Sequence, residues 1–96
     1  MPATVIHCRY AAGVPAGQYV YCGRPSKWGN PYAIGPHGKR AQVIRLFRLW
    51  WYAPEQAELR LEAVRELAGK ICGCWCKPKD CHVDVIAEFV NRATAQ

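Results

Sequence analysis

The spacing of hydrophobic positions changes repeatedly along this chain, and each spacing predicts an element. Val5 and Ile6 within Thr4 to Arg9 read as a short first strand, and the Ala-, Gly- and Pro-rich stretch from Ala11 to Gln18 as a loop. Tyr19 to Cys22 reads as a second strand. From Arg40 to Trp51, the residues Val43, Ile44, Phe47, Trp50 and Trp51 recur at helical spacing, with Arg40, Arg45 and Arg48 mainly on other faces. Pro54 and Glu55 open a second helix with Ala57, Leu61, Val64 and Leu67 inward, and Gly69 marks its end. Ile71 to Cys76 alternates like a strand, which turns Cys72, Cys74 and Cys76 to one side. Lys77 and Pro78 end it. Asp80 is placed to cap a last helix that starts at Cys81 and His82 and carries Val85, Ile86, Phe89, Val90 and Ala93.

The order is strand, strand, two helices, strand, helix. A helical crossover between the second and third strands requires those strands to be parallel, with a right-handed connection. The expected fold is α/β: one small domain over residues 1–96, with a short, mainly parallel sheet packed with about three helices. Ligands of open parallel sheets bind beyond the carboxyl ends of the strands. The segments after the second and third strands would both lie there. If the first strand is parallel too, His7, Cys8 and Arg9 join them, and Cys8 and Cys22 approach the cysteines of the third.

The segment after the third strand holds the densest chemistry. Residues 71–82 contain four of the six cysteines and one of the three histidines. Thiolates and an imidazole on a tight turn suit zinc, and Cys74, Cys76, Cys81 and His82 make a full tetrahedral set, although the spacing is not that of paired Cys-x-x-Cys knuckles. A second chemistry needs no metal. A cysteine in the first turn of a helix beside Lys77 and Lys79 has a lowered pKa and neighbours anion-attracting N–H groups, which makes Cys81, with His82, a candidate reacting centre. The plainest alternative is that the cysteines pack as small hydrophobes and His82 is simply hydrogen-bonded in place.

The segment after the second strand, Gly23-Arg24-Pro25-Ser26-Lys27-Trp28-Gly29-Asn30-Pro31, concentrates donors on a loop stiffened by two prolines. The glycines Gly23 and Gly29 permit close backbone approach. Arg24 and Lys27 suit phosphate, Ser26 and Asn30 offer hydrogen bonds, and Trp28 offers a stacking face. Against this, Trp28 and the prolines could cap the core and leave the cations in water. The loop matches neither the Walker nor the dinucleotide fingerprint.

Composition narrows the partner. About half of the 96 residues are hydrophobic, which excludes a disordered tail, and no apolar run approaches a membrane span of about 20 residues. With no secretory pattern at Met1 to Thr4, the expected compartment is the cytoplasm, where cysteines stay reduced or bind metal. Residues 1–54 carry seven cations (Arg9, Arg24, Lys27, Lys39, Arg40, Arg45, Arg48) and no acid, while all seven acids lie between Glu55 and Glu88. That asymmetry favours an anionic ligand on the first half, or else forms a solvated basic face.

The motifs GRPSKWGNP (Gly23 to Pro31) and CWCKPKDCH (Cys74 to His82) together resemble a family of small phage and bacterial proteins known as a domain of unknown function (DUF4326). The resemblance runs from about Tyr19 to Asn91. It implies a hydrophobic residue, Tyr or Ile, ahead of the Gly-Arg-Pro turn, then a helix, and then a Cys-Trp-Cys turn closed by Cys81 and His82. It brings no activity with it. From the residues, the expected function is binding of a nucleotide-like or other phosphate-bearing ligand between the two motifs, together with zinc. Two alternatives stand beside it. One is a zinc-stabilised nucleic-acid-binding module without catalysis, and the other a phage-type protein-interaction module that uses Trp50 and Trp51.

Overall fold

The computed structural model describes residues 2–95; Met1 and Gln96, the ends of the expected 1–96 domain, lie outside the described residues. The elements are β1 (Thr4–His7), a 3-10 segment (Cys8–Gly13), β2 (Tyr19–Tyr21), α1 (Arg40–Trp51), a short 3-10 turn (Pro54–Gln56), α2 (Ala57–Leu67), β3 (Ile71–Cys74) and α3 (His82–Thr94). The class is α/β, as the alternating periods predict. The three strands form one parallel sheet in the order β1-β3-β2, so the last strand in sequence is the central one.

Register decides what that central strand presents. Val5 and His7 of β1 pair with Cys72 and Cys74, and Val20 of β2 also pairs with Cys72. Partners in a parallel ladder share a face, so these five side chains point the same way. Cys72 and Cys74 lie in the core there, and Val5 and Val20 pack against it. Phe47 and Trp51 of α1, Leu67 of α2, and Val83, Val85, Ile86 and Val90 of α3 complete this core, all essentially inaccessible.

Several boundaries and faces differ from the periodic reading. β1 stops at His7, because Cys8 enters a 3-10 segment and the His7 ring accepts the Arg9 N–H at 3.0 Å. β3 stops at Cys74, two residues short of the alternation. α3 is capped by Cys81 rather than Asp80, and Asp84 accepts the Cys81 N–H at 3.1 Å. In α2 the inward face runs through Leu59, Ala63 and Leu67, whereas Leu61 is 50% exposed. The helix is amphipathic on more than one stripe, and α3, which it contacts, decides which stripe is covered. Gly69, with φ 72°, turns the chain out of α2.

The aromatic pair on α1 divides as two consecutive helical residues must. Trp51 is fully buried, with its ring 5.9 Å from Phe47, and Trp50 packs partly buried against the same core. Trp50 and Trp51 therefore serve the core rather than an open aromatic face. Among the described residues no helix is long and apolar enough to cross a membrane.

Candidate functional site

The carboxyl ends of β2 and β3 are joined side by side. The Cys22 N–H continues the ladder by donating to Gly73 O at 2.9 Å, and the chain then enters the Gly23–Pro31 loop. Ser26 organises this loop: its N–H and Oγ both donate to Gly23 O, at 2.9 and 2.6 Å, and its own carbonyl accepts the Gly29 N–H at 3.0 Å. Gly23 is required by proximity, since a Cβ there would fall 2.6 Å from the Tyr21 ring. Asn30, 7% exposed, then anchors the loop to α1. Its Nδ2 donates to Val43 O at 3.2 Å, and its Oδ1 accepts the Tyr32 N–H at 2.8 Å.

After β3 the chain runs through Trp75, Cys76 and a turn in which the Lys79 N–H donates to Cys76 O at 2.8 Å. Three contacts fix this turn. Lys77 pairs with Asp84 at 2.6 Å, Arg40 Nη1 donates to Asp80 O at 3.1 Å, and Trp75 Nε1 donates to Tyr21 Oη at 2.9 Å. Tyr21 in turn donates to Arg24 O at 2.8 Å, so the two loops are stitched by a Trp-Tyr-backbone chain.

His82 stands where the loops meet. Its Nε2 lies 3.1 Å from Cys22 O; a carbonyl only accepts, so this nitrogen carries the proton. Burial lowers the His82 pKa and keeps the ring neutral, with Nδ1 free to accept and 3.6 Å from Cys81 Sγ. The Cys81 side chain also interacts with that of Cys74. That interaction, helped by the Cys76 and Lys77 backbone and opposed by burial, lowers the Cys74 pKa to about 6. The same interaction and burial push Cys81 up. Deeper in the sheet, the interaction between the Cys22 and Cys72 side chains likewise lowers Cys72 and, with burial, raises Cys22, whose thiol donates to Val20 O at 3.6 Å.

These elements enclose a cavity of about 300 Å³ at the sheet's carboxyl edge. Tyr21 lines it from the end of β2 and Gly23, Arg24 and Asn30 from the first loop, with Tyr32 and Ile34 just beyond. Arg40, Val43 and Ile44 contribute the start of α1. Cys74, Trp75, Cys76, Asp80, Cys81 and His82 form the remaining wall. Its volume sits at the lower end of the range for small-molecule sites, about 300–1,000 Å³.

Of the residues singled out in the sequence, Gly23, Arg24, Asn30, Cys74, Cys76, Cys81 and His82 are thus brought to one cavity. Ser26, Lys27 and Trp28 are held elsewhere. Ser26 is consumed by the loop's own hydrogen bonds. Lys27 pairs with Glu66 at 2.8 Å and Glu62 at 3.4 Å. Trp28 is 3% exposed, tilted against Trp51 at 6.5 Å, and belongs to the core. The cavity's other side chains escaped the sequence reading. Trp75, 69% exposed, lay hidden inside the cysteine motif, Arg40 inside a helix face and Tyr21 inside a strand. The one available signal was that Trp75 lies within one motif and Tyr21 two residues ahead of the other. Among the described residues, no group of three or more His, Cys, Asp or Glu is placed to hold a metal ion.

The sequence profile of the domain of unknown function (DUF4326) matches residues 6–92. The chain belongs to that family. It is also 39% identical over 70 residues to an uncharacterized 12.4 kDa protein in the nrdA-td intergenic region of Enterobacteria phage T4. The match covers 72% of this chain and 64% of the phage protein, so the chain spans somewhat less than two thirds of that relative. No solved structure matches the chain. Family membership thus spans both loops, from β1 to the last turns of α3.

Proposed function

We propose that this domain binds a nucleotide-like, phosphate-bearing ligand in the cavity between the Gly23–Pro31 loop and the Cys74–His82 turn. The observation that carries this reading is that Arg24, Arg40 and the 69% exposed Trp75 border the same 300 Å³ space. Arg24 makes no ion pair among the described residues, and Arg40 spends one N–H on the Asp80 carbonyl. A guanidinium has five donors, so both retain capacity for phosphate oxygens. Trp75 offers a flat face fixed by its hydrogen bond to Tyr21, which suits a purine or pyrimidine ring. One carboxylate, Asp80, borders the cavity against these two cations, and the balance favours an anion. Cys81 and His82 sit on the same wall, but Cys81 is held as a thiol there, against the lowered pKa expected from its place at the helix start, so it serves as wall rather than as a reacting thiolate.

The test is calorimetric titration with nucleoside monophosphates, nucleosides and inorganic phosphate. The monophosphate should bind more tightly than either part. Arg24→Ala or Arg40→Ala should weaken it by roughly 10- to 100-fold, the value of a charge-assisted hydrogen bond of about 1.5–3 kcal/mol. Equal affinity of wild type and both variants would overturn the reading.

A second reading, zinc held by Cys74, Cys76, Cys81 and His82, is favoured by the His82 tautomer. An imidazole that donates Nε2–H to a backbone carbonyl presents Nδ1 in the manner of a zinc ligand. Metal analysis of tag-free protein decides it: one zinc per chain supports this reading, and none, even after incubation with zinc, sinks it.

A further inference from the structure

A second cavity opens on the other side of the Trp75–Pro78 segment, at the carboxyl end of β1. It has a volume of about 460 Å³ and is bordered by Val5, Ile6, His7, Arg9, Tyr10, Lys77 and Pro78. The two cavities share a wall. Trp75 borders the first and meets His7, which borders the second, edge to face at 5.7 Å. Cys76 faces the first space, and the next two residues, Lys77 and Pro78, face the second.

The second cavity repeats the chemistry of the first. Arg9 is exposed, makes no ion pair among the described residues and lies 5.8 Å over the Tyr10 ring. Tyr10 is 62% exposed, which leaves its ring available for stacking. No carboxylate borders this space. His7 is 9% exposed; its Nδ1 accepts the Arg9 N–H at 3.0 Å, so in the neutral ring the proton sits on Nε2. That donor has no partner among the described residues. An imidazole donor left free at the cavity, beside an arginine without a carboxylate, is an arrangement that an oxygen-rich anion completes.

We infer that the second cavity is a second nucleotide subsite, and that the ligand class is single-stranded nucleic acid of at least two nucleotides whose backbone crosses the Trp75–Pro78 segment. One base stacks at Trp75 and the next at Tyr10. Arg24 and Arg40 hold phosphate on one side of the crossing, and Arg9 with His7 Nε2–H holds it on the other. Alternating cations and exposed aromatic faces are how proteins track a single strand with little sequence preference. This inference rests on the nucleotide-binding reading of the first cavity.

The experiment is titration of the full chain with thymidine 5′-monophosphate, the 5′-phosphorylated dithymidylate, and the hexathymidylate strand free or paired in a duplex. The dinucleotide should bind about 5- to 100-fold more tightly than the monophosphate, the value of one stacked base. The free hexamer should outcompete the duplex. Tyr10→Ala, a change at an exposed position that leaves the core intact, should collapse the ratio of dinucleotide to mononucleotide affinity towards one. Arg9→Ala should also flatten the salt dependence of dinucleotide binding by about one phosphate contact. Tight monophosphate binding with no dinucleotide advantage, or an advantage that survives Tyr10→Ala, overturns the second subsite and leaves the first cavity's reading standing. Preference for the duplex overturns the single-strand assignment. No binding by any of these probes means that the first reading has failed and this one with it.

Discussion

Asn30 is where the geometry of the cavity and the stability of the fold meet, and its replacement tests both. At 7% exposure its amide makes two bonds that join three parts of the chain: Nδ2 to Val43 O in α1, and Oδ1 from the Tyr32 N–H. Asn30→Ala removes both and leaves the Tyr32 N–H without its acceptor. A net loss of about 1 kcal/mol per bond plus about 1 kcal/mol for the orphaned donor gives a cost of about 2–3 kcal/mol. With a urea slope of about 1–3 kcal/mol/M, the unfolding midpoint should fall by roughly 0.7–3 M without a change in slope. Asn30→Asp separates the two roles, because it keeps the acceptor for Tyr32 and puts a carboxylate against the Val43 carbonyl. At pH 7 that buried charge should cost about 3 kcal/mol or more. Burial raises the pKa of such an aspartate in the folded state. The deficit relative to wild type is therefore full above the folded value and shrinks as acid restores an O–H donor. Urea unfolding of wild type and both variants at pH 7 and pH 5 reads this directly, and other titrating groups cancel in the difference. An Asn30→Ala midpoint indistinguishable from wild type, or an Asn30→Asp gap that fails to narrow at pH 5, would refute the reasoning.

Three further outcomes are expected. Gly73→Ala should destabilise by about 1–3 kcal/mol, because a Cβ there lies 2.6 Å from Tyr19 Cε1 and Cζ; the loss should be smaller in a Tyr19→Ala background, as a double-mutant cycle of melting curves will show. Burial places the His82 pKa below its ordinary value of 6.5, so the unfolded chain takes up a proton first. Stability should be full above about pH 6.5 and decline as pH falls through that value, with a shallower decline in His82→Gln. Thiolate absorbance near 240 nm should include one step with a midpoint at about pH 6, lost in Cys74→Ser and displaced upward in Cys81→Ala, since the interaction with Cys81 is the main cause of the Cys74 shift; a step unmoved by Cys81→Ala would count against that cause.

The candidate site was half legible in the chain, and the halves differ in kind. The two loops could be located because turn-forming residues and clustered cysteines stand out locally. The parallel crossover then put both loops at one edge, as the β1-β3-β2 sheet does. Which side chains turn to the cavity was a different question. Trp28 and Lys27 have the chemistry of ligand residues, yet Trp28 packs on Trp51 and Lys27 finds Glu62 and Glu66 on α2, about 35 residues away or more. Trp75 has the same chemistry and is left outside, because the strand ends one residue before it.

From the sequence alone came the element order, the α/β class, the parallel crossover and the proximity of the two motifs. These follow from period, turn chemistry and chain connectivity, all of which act over a few residues or through topology. Only the tertiary structure decided that β3 is central, that Cys74 and Cys81 meet beside His82, that Arg24 and Arg40 face one cavity, and that Trp75 and His7 divide it from a second. Those facts depend on register and on long-range partners. A shift of one residue in a strand turns every side chain to the opposite face, and no local pattern encodes which neighbour a side chain will meet.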